Sequence, residues 1–200
     1  MLGGNWYRFL YTVVRAAMFL WHPVFHVIGK ENIPESGAYL ICPNHRGMAD
    51  PIWVILAMKL GHIPRIMAKK EIFRVPLLNK LVTWLGAFGV DREGVDIQAV
   101  KTGLRCLKDG QQLMVFPEGT RVKPGMRISP KRGALVLAYR TGCPILPVYL
   151  SVNRKPFGPI TCVFGKPYTL DFGGTKPTDS QMQSAAQELM DQIYEMGEAQ

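Results

Sequence analysis

Asn44-His45-Arg46-Gly47-Met48-Ala49-Asp50-Pro51 holds a histidine and an aspartate separated by four residues. An imidazole with an ordinary pKa of about 6.5 takes a proton at neutral pH, which makes His45 a candidate general base. A carboxylate on its other ring nitrogen fixes the tautomer and stabilises the imidazolium that forms. Gly47 gives the intervening loop the freedom to fold back, so that Asp50 meets His45. A competing reading makes Asp50 an N-cap, with Pro51 in the first turn of a helix. The two readings are compatible, because a capping carboxylate has a second oxygen.

A second polar run, Phe116-Pro117-Glu118-Gly119-Thr120-Arg121, follows an apolar stretch and concentrates an acid, a hydroxyl and a guanidinium. Arginine grips phosphate through paired charge-assisted hydrogen bonds, worth about 1.5–3 kcal/mol each. Glu118 is a candidate acceptor for a substrate hydroxyl. The same run also reads as an ordinary turn with a surface Glu–Arg pair worth about 0–1 kcal/mol. Further cations stand in Ala68-Lys69-Lys70-Glu71 and in Gly86-Ala87-Phe88-Gly89-Val90-Asp91-Arg92. Between them Phe73, Leu77, Leu78, Leu81, Val82, Trp84 and Leu85 are apolar enough to line an acyl-chain groove, or to form core.

In their order and spacing these runs resemble the glycerolipid acyltransferase family, especially its 1-acylglycerol-3-phosphate acyltransferases. His45 and Asp50 match the family's catalytic His-x4-Asp motif. Lys69 matches the lysine of its Ala-Lys-x-Glu segment, and Arg92 the arginine that closes its second motif. Glu118, Gly119, Thr120 and Arg121 match its Phe-Pro-Glu-Gly-Thr-Arg motif without a change, and Pro144-Ile145-Leu146-Pro147-Val148 its proline-bounded fourth motif. The resemblance spans about residues 28–165. Gly89 departs from it, since a bulkier residue is common there, and an altered acceptor pocket or chain selectivity is the expected consequence.

The resemblance implies acyl transfer from coenzyme A or acyl carrier protein to lysophosphatidic acid, giving phosphatidic acid in phospholipid biosynthesis. His45 then takes the proton of the sn-2 hydroxyl and Asp50 orients it. Arg121 and Lys69 hold the phosphate with Arg92 assisting, Glu118 places the glycerol, and Gly119 and Thr120 belong to the same substrate-binding motif. Backbone N–H groups near Gly47 or Gly119 are candidates to receive the oxyanion. No metal or cofactor is implied. Cys42, three residues before His45, raises a covalent route, although its place at the end of an apolar run favours a core thiol. Rival readings are another lysophospholipid or hydroxyl acceptor, a thioesterase, and a basic non-catalytic lipid-binding module.

The elements that must position these residues alternate. Strands are predicted at 38–42, 65–68, 87–90, 113–116, 145–150 and 161–164, and helices at 51–60, 76–85, 96–108, 131–140 and 180–196. Gly110 and Gly142 suit helix C-termini, and Ser180 with Gln183 reads as a capping box for the last helix. Such alternation predicts an α/β fold, a single layered domain with a mixed central sheet flanked by helices. In open α/β sheets ligands bind beyond the carboxyl ends of strands, where both polar runs fall.

Residues 1–28 are expected to form a separate interfacial helical segment, with the catalytic domain over 29–200. Asn5, Arg8, Thr12 and Arg15 recur at helical spacing, His22 and His26 roughly continue the stripe, and Pro23 should break the helix. Seven aromatic residues between 6 and 25 favour a bilayer interface, against packing on the protein's own core. The longest uncharged stretch, 14 residues, is too short to span, so a peripheral or monotopic place at the cytoplasmic face of the cell membrane is expected. The net charge of +9 suits an anionic lipid surface, an acidic carrier or phosphorylated substrates. No nucleic-acid fingerprint and no Walker-type glycine loop is present, and the four histidines and four cysteines lack metal-ligand spacing.

Overall fold

The computed structural model of the chain describes residues 4–58, 62–91, 96–123, 125–151, 155 and 157–199. The uninterrupted apolar runs at 40–43 and 145–150 become central strands buried on both faces, as strands under helices on both sides must be. Among the described residues seven strands are formed: β1 Phe25–Ile28, β2 Leu40–Pro43, β3 Arg65–Lys69, β4 Ala87–Val90, β5 Leu113–Met114, β6 Ile145–Leu150 and β7 Ile160–Phe164. They lie in the order β1-β7-β6-β2-β5-β3-β4. Every neighbouring pair is parallel except β6 and β7. The fold is therefore the layered α/β domain with a mixed sheet that the alternating pattern predicts.

Among the described residues six α-helices cover the sheet: α1 Gly4–Trp21, α2 Asp50–Ala57, α3 Pro76–Trp84, α4 Ile97–Lys108, α5 Gly133–Thr141 and α6 Asp179–Glu198. Successive strand residues feed opposite cores. Ile41 packs with Trp53 and Val54 of α2 and with Met18 of α1. Its neighbours Leu40 and Cys42 pack instead with Leu135 of α5 and Leu189 of α6. Gly110 and Gly142 take left-handed conformations at the ends of α4 and α5, as expected. The capping box of α6 lies two residues earlier than Ser180–Gln183. Thr178 Oγ1 accepts from the Gln181 N–H at 3.2 Å, and Gln181 Oε1 accepts from the Thr178 N–H at 2.8 Å. Both pairs satisfy the sequence pattern. The earlier one places Asp179 in the positive first turn and frees Gln183 to reach Ser129 and Pro130.

Residues 1–28 do not form one helical segment. α1 ends at Trp21 ahead of Pro23, and Phe25–Ile28 then pairs in parallel with β7 as an edge strand. Four residues with alternate side chains turned inward suffice for a strand once a neighbour supplies the hydrogen bonds. The helix thus ends where Pro23 is expected to break it, and residues 25–28 belong to the sheet. His22 is buried as well, not part of a solvated stripe: its Nδ1 lies 2.8 Å from the Gly158 carbonyl and its ring packs edge-on to Trp53. α1 rests on the domain through a narrow stripe. Met18 is buried, Val14 packs beside it, and the Tyr11 hydroxyl donates to the Leu56 carbonyl. Phe9, Val13, Phe19, Leu20 and Trp21 remain exposed, Leu20 by 77%. Among the described residues no helix is long and apolar enough to cross a membrane.

Gly29 couples β1 to the rest of the sheet. Its φ is +70°, and a Cβ there would lie 2.1 Å from the Phe164 carbonyl oxygen. Gly29→Ala combines the left-handed penalty of about 1–2 kcal/mol with a backbone clash, and it should lower the denaturant midpoint clearly without changing activity per folded molecule.

Candidate active site

β2 sits at the centre of the sheet between β6 and β5, and the chain leaving it is held from its first residue. Asn44 prolongs the β2–β6 ladder with its side chain: Nδ2 donates to the Leu150 carbonyl at 2.9 Å and Oδ1 accepts from the Leu150 N–H at 2.7 Å. His45 follows, its ring 4.1 Å from that of Phe116 and tilted 30° against it. Asp50 is fully buried and its Oδ2 lies 2.9 Å from His45 Nδ1. The same oxygen accepts the backbone N–H groups of Arg46 at 2.6 Å and Gly47 at 2.8 Å. An ionised carboxylate only accepts hydrogen bonds, so Nδ1 carries the proton and Nε2 is the basic nitrogen. α2 begins at Asp50, but its cap is Ala49, which makes no side-chain bond. The Asp50 carboxylate turns back into the loop instead of capping the helix.

The Glu118 turn is locked to this loop. The His45 N–H donates to Glu118 Oε2 at 2.5 Å, and the His45 carbonyl accepts from the Val122 N–H at 2.9 Å. Glu118 Oε1 accepts from the Tyr194 hydroxyl of α6 at 2.5 Å. Both oxygens therefore have protein donors, and the residue is 2% exposed. This differs from the expected contact with a glycerol hydroxyl: a buried carboxylate needs donors around it, and the fold supplies them. Burial pushes the Glu118 carboxyl upward, while the bonds from Tyr194 and His45 and the nearby Arg46 charge oppose that rise. Arg46 completes the lock. Its guanidinium donates to the carbonyls of Val122, Lys123 and Met126 and to the Tyr194 hydroxyl.

The expected cations have different standings. Thr120 and Arg121 are exposed at the end of the Glu118 turn. Lys69 ends β3, exposed, with its Nζ 3.6 Å from Glu71. β2, β5, β3 and β4 are consecutive, parallel neighbours, so the loops bearing His45, Arg121 and Lys69 leave the same edge of the sheet. Arg92 lies outside the described residues. Gly119 has a φ of +66°, the left-handed conformation this turn needs. Its N–H donates to the Phe116 carbonyl at 2.9 Å, and the Gly47 N–H is engaged by Asp50, so these two N–H groups already have protein acceptors. Arg46, Asn44 and Tyr194 are structural members of the site that motif reading left without a role.

A family model described as Acyltransferase matches residues 24–151. The chain belongs to the acyltransferase family. Similar proteins include the 1-acyl-sn-glycerol-3-phosphate acyltransferase of Bacillus subtilis, 28% identical over 85% of this chain and 86% of that protein. The protein of the same name from Pseudomonas aeruginosa is 30% identical over 72% of this chain and 54% of its own length. The fold is shared with the 1-acyl-sn-glycerophosphate (LPA) acyltransferase PlsC of Thermotoga maritima. That match has a TM-score of 0.72 at 24% identity and covers 96% of this chain and 81% of the other.

Two further features of this acyltransferase bear on chemistry. Phe73, Val82 and Leu85 pack on the core, so they act as core; the side chains of Leu77, Leu78, Leu81 and Trp84 lie outside the described ones. At Gly89 an added Cβ would find its nearest neighbours, atoms of Lys70 and Phe73, at 3.5–3.6 Å, ordinary contact distances.

Cys42 is fully buried in the core beneath α5 and α6, and burial pushes its thiol well above its usual range. A thiol held neutral in that layer is a poor nucleophile. Cys42→Ala should therefore keep kcat within about twofold at a stability cost of about 1 kcal/mol, read by steady-state kinetics and denaturant unfolding. Abolished turnover in a folded protein would mean that the thiol takes part.

Proposed function

We propose that this acyltransferase moves a fatty acyl group from an acyl thioester, on coenzyme A or on an acyl carrier protein, to the free sn-2 hydroxyl of 1-acylglycerol-3-phosphate, giving phosphatidic acid. The observation that carries the reading is the buried Asp50 on His45 Nδ1, which leaves Nε2 as a base on the sheet edge that also bears Arg121. The names of the similar proteins from Bacillus subtilis and Pseudomonas aeruginosa support the acceptor. Nε2 takes the hydroxyl proton as the alkoxide oxygen attacks the thioester carbonyl. The tetrahedral intermediate then expels the thiolate, which recovers the proton from the imidazolium. Such positioned base catalysis contributes roughly 10²–10⁴-fold.

Arg121 and Lys69 bind the phosphate in this scheme, with Arg92 assisting and Thr120 contributing its hydroxyl. Glu118 acts indirectly, by holding the His45 backbone. The acceptor is a membrane lipid, and α1 supplies a matching surface. Phe9, Val13 and Leu20 project away from the stripe that packs on the domain, with Arg8 and Arg15 exposed beside them. A peripheral or monotopic place at the cytoplasmic face of the membrane is the location that fits this reading.

The test is transfer by purified protein from each carrier to lysophosphatidate, beside acceptors lacking a terminal phosphate. Lysophosphatidate should be strongly preferred, and His45→Ala should lower kcat by about 10²–10⁴-fold. Arg121→Ala, losing charge-assisted bonds of about 1.5–3 kcal/mol, should raise the lysophosphatidate KM by about 10–100-fold and leave the thioester KM unchanged. Equal use of acceptors with and without the phosphate would contradict the clamp. A Val13→Asp/Leu20→Asp protein should lose flotation with anionic vesicles while keeping its unfolding midpoint, and unchanged flotation would remove α1 from membrane contact.

A further inference from the structure

Tyr194 lies on α6, beyond the part of the chain that the family model matches. It is nevertheless buried against the site. Its hydroxyl donates to Glu118 Oε1 and accepts from Arg46 Nη2 at 2.6 Å. Two guanidinium groups lie over its ring, Arg46 at 5.2 Å and Arg127 at 4.9 Å from the centroid. Arg127 is bound in turn to Asp191 and Glu198 of the same helix. α6 thus reaches the reacting histidine by one continuous path, from the Tyr194 hydroxyl through the Glu118 carboxylate to the His45 N–H.

We propose that Tyr194 is a positioning residue for acyl transfer, whose hydroxyl orients the Glu118 carboxylate so that it holds the His45 backbone and, with it, the imidazole. The inference rests on the reading of His45 as the base. Glu118 Oε2 has the His45 N–H as its donor, and Oε1 has Tyr194. Without the hydroxyl, a buried oxygen loses its partner and Arg46 Nη2 loses its acceptor. Glu118 is then drawn towards Arg46 and away from His45, because an unpaired buried charge reorganises towards the nearest donor. The Tyr194 hydrogen bond also favours the ionised form of Glu118, the form that accepts from both sides. The ring's contacts with Arg46 and Arg127 fasten α6 to the loop over residues 122–127, a separate task that phenylalanine can perform.

Tyr194→Phe, Glu118→Gln and the double variant separate these tasks, with Arg127→Ala as control. Tyr194→Phe should lower kcat about tenfold, with the lysophosphatidate KM changed less than about twofold and a cooperative unfolding transition retained. The double variant should be no slower than Glu118→Gln alone, because the hydroxyl acts through that carboxylate. Arg127→Ala should keep kcat within about twofold while lowering stability. Independently of any acceptor, the amide proton of His45 should shift on Tyr194→Phe in proton–nitrogen NMR spectra. Additive losses in the double variant, an unmoved His45 amide, or a Tyr194→Phe loss that only tracks the folded fraction would overturn the proposal. A wild-type protein inactive towards lysophosphatidate would instead sink the acceptor reading, and the amide shift alone would then decide the role of Tyr194.

Discussion

The burial of the Asp50 carboxylate constrains everything around it. Removed from water, an ionised carboxylate costs several kcal/mol unless protein donors replace its hydration. One oxygen of Asp50 meets this demand with three donors, the His45 ring and the N–H groups of Arg46 and Gly47. The loop can follow only the path that brings all three to that oxygen. The partners are unequal. Removing the imidazole leaves two backbone donors in place, whereas removing the carboxylate strands two N–H groups at about 1–3 kcal/mol each. Asp50 is thus a structural residue that also sets the histidine tautomer.

The same reasoning runs outward. His45 is fixed at its ring by Asp50 and at its backbone by Glu118 and Val122. Glu118, itself buried, needs a second donor and finds it on the last helix. Arg46 fastens the loop after Arg121 to the His45 loop through three carbonyls. Parallel strands make this economical in chain, since β2 and β5 are adjacent and both deliver their following loops to one edge. The exposed cations can then vary in conformation while His45 stays held from both sides.

Much of this was legible in the residues. β4 and β6 coincide with the runs at 87–90 and 145–150, because short apolar runs bounded by glycine, proline or charge have few alternatives. His45 and Asp50 lie close enough in sequence for the loop alone to bring them together. β1 was hidden because His26 continued a helical polar stripe, and only pairing with β7 reveals its alternation. The capping box lies two residues earlier because two overlapping segments carry the same signal, and only the earlier one also brings Asp179 into the first turn. Tyr194 stands 76 residues from Glu118 on a helix whose apolar stripe explains itself as core, so no local pattern could name it. The protein partners of Glu118 are hidden for a related reason: an acid in a polar turn looks exposed until the burial of its surroundings is known.

The most direct test of the central claim is the protonation of the two ring nitrogens of His45, read by nitrogen NMR at a pH where the ring is neutral. The account predicts a single tautomer with the proton on Nδ1, bonded to Asp50, and a bare Nε2. A proton resident on Nε2, or rapid exchange between the two tautomers, would contradict it.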